Sequence, residues 1–412
     1  MKKLLCIVLV MMMAFATLAG CTAKTDTAAA GEAADTTEAA TEAAPSDAET
    51  IKVGILGPHT GDYAVYGLAV KNGAQLYIDK VNAAGGVNGK QIETIVYDNK
   101  GDSTEAITAF TRMVDEGITA LIGDVLTGNT IAVVGEAYPI NMPMITASAT
   151  AAAVTYDETT DTTYSNVFRT CFIDPFQGEK MAEYAADKLG AATAAVLTQT
   201  GNDYSVGLAD AFKAKCAEIG VTVVAEEGYA EGDVDFNSQL TNILAAAPDV
   251  VFCPNYYQDD GLIVTQAREL GLTATFLGGD GWAGVSAYAS AEDLEGSCYC
   301  SAYAPGSTDA VKAFEEAYTA AYGADTLNMF AATGYDAAMV LIAALTKAEE
   351  SGAAPASDEY KQAILDGIKS EGAAVQGITS ESGYTFDKFN NPIKSAVIMT
   401  VTDGAETYKE TY

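Results

Sequence analysis

Short apolar runs alternate with longer amphipathic stretches along most of the chain, and the pattern begins sharply at Ile51. Apolar runs of about four to eight residues bounded by glycine or proline are typical of buried strands, whereas apolar positions three or four apart indicate helices. The pattern predicts strands at residues 51–56, 91–97, 120–123, 143–146, 194–197, 221–225, 249–253, 275–278 and 396–401. It predicts helices at residues 66–82, 102–116, 207–219, 236–246, 262–270, 311–322, 333–348 and 358–369, and another that begins near residue 130.

The order of these elements indicates an α/β fold. Strands that alternate with helices form parallel sheets with helices on both faces. Two such series are separated by an irregular stretch at about residues 164–175, so we expect two lobes. Asp102 and Glu105 have the spacing of a helix capping box, which favours a helix start at this point over a calcium-binding loop.

The first 20 residues have the order of a secretory signal, with lysines at positions 2 and 3, an apolar run at residues 4–15, and then small residues. The run falls short of the about 20 residues that a membrane-spanning helix needs. Cys21 directly follows Leu-Ala-Gly, which resembles the lipobox of bacterial lipoproteins. That resemblance implies cleavage before Cys21 and a diacylglyceryl thioether on its sulfur. The alternative is an ordinary signal peptide followed by a chance cysteine.

Residues 21–50 are rich in alanine, threonine and acidic residues and contain almost no large apolar side chain, so we predict a flexible, acidic tether. Over the whole chain, 56 acidic residues against 22 basic ones give a net charge of −34. Such a surface repels phosphate backbones and anionic headgroups. We therefore expect no nucleic-acid partner, and contact with the membrane through the lipid alone.

The sequence offers little catalytic or metal-binding chemistry. An exported hydrolase would have to use His59, the single histidine, and the chain lacks the Gly-x-Ser-x-Gly turn that presents a nucleophilic serine. Glycine-rich phosphate loops do not follow any predicted strand. We predict a protein that is not an enzyme and binds no metal and no cofactor. With Cys6 and Cys21 set aside, five cysteines remain whose pairing is left open: Cys171, Cys216, Cys253, Cys298 and Cys300.

Small polar residues follow several predicted strands, at the edge where open parallel sheets bind ligands. In the first series, Thr127 precedes the helix near residue 130, and Ser148 and Thr150 follow the next strand. Free N–H groups at a helix start, together with hydroxyl groups, suit a small carboxylate, although plain N-capping uses the same residue types. In the second series, Asp280 follows a strand and suits an ammonium group. Three tyrosines at corresponding exits would cover an apolar side chain: Tyr204, Tyr256 and Tyr257.

Short sequence motifs follow one another along the chain in this order: Ile51-Lys52-Val53-Gly54, Gly61 through Tyr66-Gly67, Asn82-Ala83-Ala84-Gly85-Gly86-Val87-Asn88-Gly89, Tyr97-Asp98, Ile122-Gly123, Met144-Ile145-Thr146 with Ser148-Ala149-Thr150, Gln266-Ala267-Arg268, and Phe386-Asp387. With them, residues 51 to about 401 resemble the type I periplasmic-binding proteins, specifically the leucine/isoleucine/valine-binding branch. The resemblance implies two doubly wound parallel-sheet lobes joined by a three-crossing hinge. Lobe 1 would comprise residues 51–170 plus 303–376, and lobe 2 would comprise residues 171–302 plus 377–412.

The resemblance implies ligand-binding roles for eight residues of this sequence. Thr127 falls where the family places a hydroxyl for the ligand carboxylate. Ser148 and Thr150 fall where backbone and hydroxyl groups hold the carboxylate and the ammonium group. Asp280 matches the acidic partner of the ammonium group, and Trp282 adds bulk beside it. The residues that match ligand-covering aromatics are Tyr66, Tyr204 and Tyr256.

The family implies an extracytoplasmic solute-binding lipoprotein of an ABC importer, which captures a small amino acid, branched-chain or otherwise apolar, by hinge closure. The implied partners are the amino acid, the ABC permease subunits and the outer face of the bacterial cytoplasmic membrane, and we expect a monomer. Asp280 is one methylene shorter than the family's usual glutamate, and Gly101 and Leu126 replace the half-cystines of a disulfide found in some members. These departures leave the ligand open. The alternative function is a sensor module for a separate signalling partner.

Overall fold

The computed structural model of the protein describes residues 50–412. The predicted signal peptide, the predicted lipidation site Cys21 and the predicted tether up to residue 49 lie outside the described residues.

The strands are β1 (Ile51–Gly57), β2 (Ile92–Asp98), β3 (Ala120–Ile122), β4 (Met144–Thr146), β5 (Tyr156–Asp157), β6 (Thr162–Thr163), β7 (Val167–Arg169), β8 (Thr193–Gln199), β9 (Thr222–Tyr229), β10 (Val250–Phe252), β11 (Thr275–Gly278), β12 (Cys298–Ser301), β13 (Val397–Thr402) and β14 (Ala405–Thr411). The α-helices are α1 (Ala64–Ala83), α2 (Ser103–Asp115), α3 (Thr127–Ala137), α4 (Asp174–Asp187), α5 (Asp203–Ile219), α6 (Asn237–Ala246), α7 (Tyr257–Glu269), α8 (Ala291–Leu294), α9 (Asp309–Tyr322), α10 (Met329–Glu349) and α11 (Asp358–Glu371).

The first sheet has the order β2-β1-β3-β4-β7, and all of its strands are parallel. Every residue of β3 and β4 is buried, as expected for strands covered by helices on both faces. The register pairs Ile55 with Ile122 and Ile122 with Ile145. The carboxyl ends of β1, β3 and β4 therefore meet at one edge of this sheet.

The second sheet has the order β14-β13-β12-β11-β10-β8-β9. Strands β8 to β12 are parallel, with Phe252 paired to both Leu277 and Val196, so the carboxyl ends of β8, β10 and β11 share an edge. At one edge, β13 runs antiparallel to both β12 and β14. The parallel core agrees with the predicted fold class, and the antiparallel edge was not predicted.

The stretch predicted to be irregular at residues 164–175 contains β7 and the start of α4, so that prediction was wrong. A strand of three residues is too short for an alternation to be detected in the sequence. Asp174 and Pro175 open α4 and are favourable first-turn residues, because an acid complements the helix dipole and proline has no N–H to leave unbonded. The predicted helix start at Asp102 is confirmed, since its side chain accepts a hydrogen bond of 2.8 Å from the amide of Glu105. The reciprocal bond of a capping box is absent, because the Asp102 amide donates to the carbonyl oxygen of Asn99 at 2.9 Å.

Helices α1 and α10 cross closely beside the first sheet because two glycines remove the side chains between them. A Cβ atom at Gly73 would lie 2.0 Å from the carbonyl oxygen of Ala331, and one at Gly334 would lie 2.5 Å from that of Val70. Among residues 50–412, α10 is the one helix long and apolar enough to cross a membrane. Its apolar window is 83% buried within the protein, as is usual for a core helix.

Candidate ligand-binding site

The carboxyl edges of the two sheets face each other across a small cavity of about 260 Å³. Ten residues line it: Tyr66, Val125, Leu126, Thr127, Ser148, Tyr204, Tyr256, Asp280, Gly281 and Phe330. Six of the eight residues predicted to bind ligand are among them.

One end of the cavity is formed by the start of α3. Leu126 is the N-cap residue of this helix, and no side chain caps it. The first amide that bonds within the helix is that of Thr130, which donates to the carbonyl oxygen of Leu126 at 2.8 Å. The start of α3 therefore carries positive charge density and hydrogen-bond donors, with Thr127 on the cavity and Gly128 and Asn129 on an adjoining cleft.

Ser148 lies beside this helix start, and its hydroxyl donates to the carbonyl oxygen of Val125 at 2.6 Å. Its proton is thus already used within the protein. The remaining lone pairs of Ser148 Oγ can accept a hydrogen bond from a ligand.

Asp280 forms the opposite end of the cavity and is 2% exposed. Its Oδ1 accepts hydrogen bonds from the Tyr204 hydroxyl at 2.9 Å and from Gln177 Nε2 at 3.1 Å. Its Oδ2 has no hydrogen-bond partner among the described residues. Burial raises the pKa of Asp280 to about 7, although the bonds from Tyr204 and Gln177 lower it. A carboxylate with one unsatisfied, buried oxygen is suited to receive a cationic group.

A second buried acid, Asp174, lies near this end of the cavity and was not predicted as a site residue. Burial raises the pKa of Asp174 well above its ordinary value, and the charge of Asp280 adds to that shift. The Asp174 amide also donates to the carbonyl oxygen of Thr150 at 2.9 Å. Thr150 is therefore placed behind the cavity, against Asp174, rather than on its surface. The first turn of a helix is an ordinary place for an acid, so the sequence carried no distinguishing signal.

Aromatic rings form the remaining wall. Tyr204 and Tyr256 are stacked, with ring centroids 5.1 Å apart and an interplanar angle of 4°. Tyr66 packs edge-on against Phe330 at 4.9 Å and lies 5.7 Å from Tyr256. Phe330, at the start of α10, was not predicted, because its sequence context is that of any buried helix.

Trp282 does not line the cavity, so its predicted place among the ligand-binding residues is not supported. Its indole N–H donates to the carbonyl oxygen of Cys253 at 2.8 Å, and the side chain is fully buried. The ring packs on Gly278, where a Cβ atom would lie 2.0 Å from it. Trp282 supports the loop that carries Asp280 from within the second sheet's core.

A wider, polar cleft of about 680 Å³ adjoins the cavity, and Leu126 and Tyr256 line both spaces.

The sequence of the chain matches the profile of a family described as "Periplasmic binding protein" over residues 50–405. The chain belongs to the periplasmic binding protein family.

Relatives of this periplasmic binding protein are named for the amino acids they bind. It is 32% identical over 327 residues to the Leu/Ile/Val-binding protein BraC3 of Rhizobium johnstonii, which covers 79% of this chain and 86% of the relative. It is 34% identical over 234 residues to the leucine-, isoleucine-, valine-, threonine- and alanine-binding protein of Pseudomonas aeruginosa, covering 57% of this chain and 61% of that protein.

Two solved structures share both fold and sequence with this periplasmic binding protein. The leucine binding protein LivK of Thermotoga maritima has a TM-score of 0.78 at 31% identity, covering 88% of this chain and 98% of that one. The branched-chain amino acid transporter substrate binding protein LivJ of Streptococcus pneumoniae, solved with isoleucine, has a TM-score of 0.77 at 31% identity, covering 88% and 100%. The fold is thus the type I periplasmic-binding-protein fold.

The cysteines and the histidine of this periplasmic binding protein stand apart from the cavity. Within residues 50–412, all five cysteines are buried and free, and none lines the cavity. His59 follows β1, and its amide donates to Asp98 at 2.8 Å. Burial, together with the charge of Lys71, lowers the pKa of His59 to about 4.

Proposed function

We propose that this protein is the extracytoplasmic solute-binding lipoprotein of an ABC importer, and that it captures a small apolar α-amino acid by hinge closure. The observation that carries the proposal is that Thr127, beside the first sheet, and Asp280, beside the second, line one cavity. Hydrogen-bond donors at the start of α3 lie beside the first sheet, and Asp280 Oδ2, which has no hydrogen-bond partner among residues 50–412, lies beside the second. A zwitterion complements both ends at once.

The ligand carboxylate would accept hydrogen bonds from the free amides at the start of α3 and from the Thr127 hydroxyl. The ligand ammonium would donate to Asp280 Oδ2 and to Ser148 Oγ. Each charge-assisted hydrogen bond in such a water-poor site contributes about 1.5–3 kcal/mol. The apolar side chain would lie against the rings of Tyr66, Tyr204, Tyr256 and Phe330.

Hinge closure requires two lobes, and we propose the division at residues 51–170 plus 303–376 and residues 171–302 plus 377–412. The distribution of strands supports it, since the first sheet uses β1–β4 and β7 and the second uses β8–β14. Because Thr127 and Asp280 belong to different lobes in this division, only a closed cleft contacts both ends of the ligand. The ligand therefore shifts the hinge equilibrium towards the closed form.

The proposed location depends on Cys21. A lipid on this residue would hold the protein at the outer face of the cytoplasmic membrane, and the tether would set its reach to the permease. Replacing Cys21→Ser should move the protein from the membrane fraction to the soluble fraction and abolish labelling by a radioactive fatty acid. An unchanged membrane fraction would contradict the lipid anchor without touching the binding proposal.

The ligand proposal is tested by calorimetry on the full-length protein in detergent, with leucine and two analogues. 4-Methylpentanoate lacks the amine of leucine, and 3-methylbutylamine lacks the carboxylate. Each analogue should bind at least about tenfold more weakly than leucine, which is the loss expected from one charge-assisted bond. Asp280→Asn should weaken the binding of leucine but not that of 4-methylpentanoate. The substitution Asp366→Asn, at an exposed position, should change the affinity for neither ligand. An analogue that binds as tightly as leucine would overturn the assignment of that end.

A further inference from the structure

A hydroxyl group of α1 reaches across the cleft to the backbone of the opposite side. Tyr66 Oη donates to the carbonyl oxygen of Gly281 and accepts from the amide of Tyr257 at 3.2 Å. Tyr66 belongs to the helix that follows β1 of the first sheet, whereas Gly281 and Tyr257 follow β11 and β10 of the second. One phenol thus joins the two sides of the cleft through two backbone bonds.

The accepting half of this contact completes a helix start. α7 begins at Tyr257, and its N-cap residue, Tyr256, provides no side-chain hydrogen bond. A helix leaves its first amides without intrahelical partners, and a side-chain oxygen usually satisfies one of them. Here the Tyr66 oxygen, from the other side of the cleft, does so for the first amide of α7. Opening the cleft would remove this cap.

The Tyr66 ring is held in place, so the hydroxyl has a defined position. The residue is 2% exposed, and its ring packs at 4.9 Å against both Tyr257 and Phe330. A second contact lies at the rim, where the carbonyl oxygen of Asp62 accepts from the Tyr257 hydroxyl and, at 2.6 Å, from Gln258 Nε2. All of these cross-cleft bonds end on the first turn of α7 or on Gly281.

We propose that the Tyr66 hydroxyl is the latch of the cleft: a positioning residue that sets how long the closed form lasts, acting through the backbone of α7 and Gly281. Bonds made only in the closed form shift the equilibrium towards it by their own free energy, whether or not ligand is present. The latch deepens the proposed function by assigning part of the ligand's residence time to a contact within the protein. The proposal rests on the proposed function only where the dissociation rate of the ligand is measured.

The test compares Tyr66→Phe with Tyr77→Phe in the full-length protein. Phenylalanine keeps the ring packing and removes only the hydroxyl. Tyr77 lies on the same helix α1, with its ring against Tyr335 at 5.0 Å, outside the cavity and the cleft. In the ligand-free protein, Tyr66→Phe should speed hydrogen exchange in residues 257–262 and enlarge the radius of gyration measured by small-angle scattering. Tyr77→Phe should leave both unchanged.

With leucine, Tyr66→Phe should raise the dissociation rate about tenfold, equivalent to about 1.4 kcal/mol, and change the association rate little. Gln258→Ala, which lies outside the cavity, should raise the dissociation rate in the same direction by a smaller factor. A Tyr66→Phe protein with wild-type exchange in residues 257–262 and a wild-type dissociation rate would overturn the latch. If no variant binds leucine, the proposed function fails, and the ligand-free exchange and scattering still decide the latch.

Discussion

Replacing Asp280 with asparagine should make the ligand-free protein more stable, and the gain should grow with pH. Asparagine keeps an oxygen for the bonds from Tyr204 and Gln177 but carries no charge. In the wild type, burial raises the pKa of Asp280 from 3.8 to about 7. The folded protein therefore holds the Asp280 proton more tightly than the unfolded chain does. Ionisation of Asp280 then costs folding free energy that increases from about pH 4 to about pH 7 and is constant above.

The magnitude follows from this window. Each pH unit between the unfolded and folded pKa values corresponds to about 1.4 kcal/mol. Between pH 5 and pH 8 the penalty grows over the two units from 5 to about 7, which gives about 3 kcal/mol. Removing the charge of Asp280 also eases ionisation of the neighbouring Asp174, which acts in the same direction. If the asparagine amide lowers the unfolding free energy by an amount that does not depend on pH, that amount cancels when the values at pH 5 and pH 8 are subtracted.

The assay is urea unfolding of the wild type and Asp280→Asn at pH 5 and pH 8, without ligand. The stability of the variant relative to the wild type should rise by about 3 kcal/mol between the two pH values, while Asp366→Asn, at an exposed position of α11, should show no such trend. Leucine should bind the wild type more weakly as the pH falls below 7, because the ammonium group must then displace a proton from Asp280. A relative stability that is the same at pH 5 and pH 8 would refute the burial argument.

Three further substitutions probe other parts of the molecule. Thr127→Val removes the hydroxyl at the start of α3 and should lower leucine affinity about tenfold by calorimetry, with no change in melting temperature; an unchanged affinity would exclude this hydroxyl from the site. Gly73→Ala forces a Cβ atom to 2.0 Å from the Ala331 carbonyl oxygen and should cost about 1–3 kcal/mol of unfolding free energy, whereas Gly135→Ala, with nothing within 4 Å, should cost none. Lys394→Met removes the half-buried donor that bonds the Thr170 carbonyl oxygen at 2.8 Å and Thr379 Oγ1, and should lower the unfolding free energy by about 1–3 kcal/mol in the same assay; a neutral effect would show that these bonds do not stabilise the fold.

The hydropathy pattern predicted the parallel α/β core because its strands are buried on both faces and its helices are amphipathic. It missed β7, where three residues carry no period, and β14, whose residues are all exposed or half-buried at a sheet edge. Both segments form strands because of the strands they pair with, and their own composition does not indicate a strand.

The candidate site was also predictable from the sequence only in part. Polar residues at strand exits were recognisable in the sequence, because parallel strands bring their carboxyl ends to one edge, and the family resemblance then narrowed them to named residues. Which of those side chains face the cavity was decided by packing: Trp282 turns into the core, Thr150 lies against Asp174, and Phe330 enters from a helix about 200 residues after Thr127.

The sequence by itself determined the layered α/β architecture and the loops that line the candidate site, because burial and the alternation of strands with helices are visible in the local sequence. Only the tertiary structure decided which side chains share the cavity and that Tyr66 bonds the backbone across the cleft. Those facts depend on how two sheets, distant along the chain, are placed against each other, and no local pattern contains that placement.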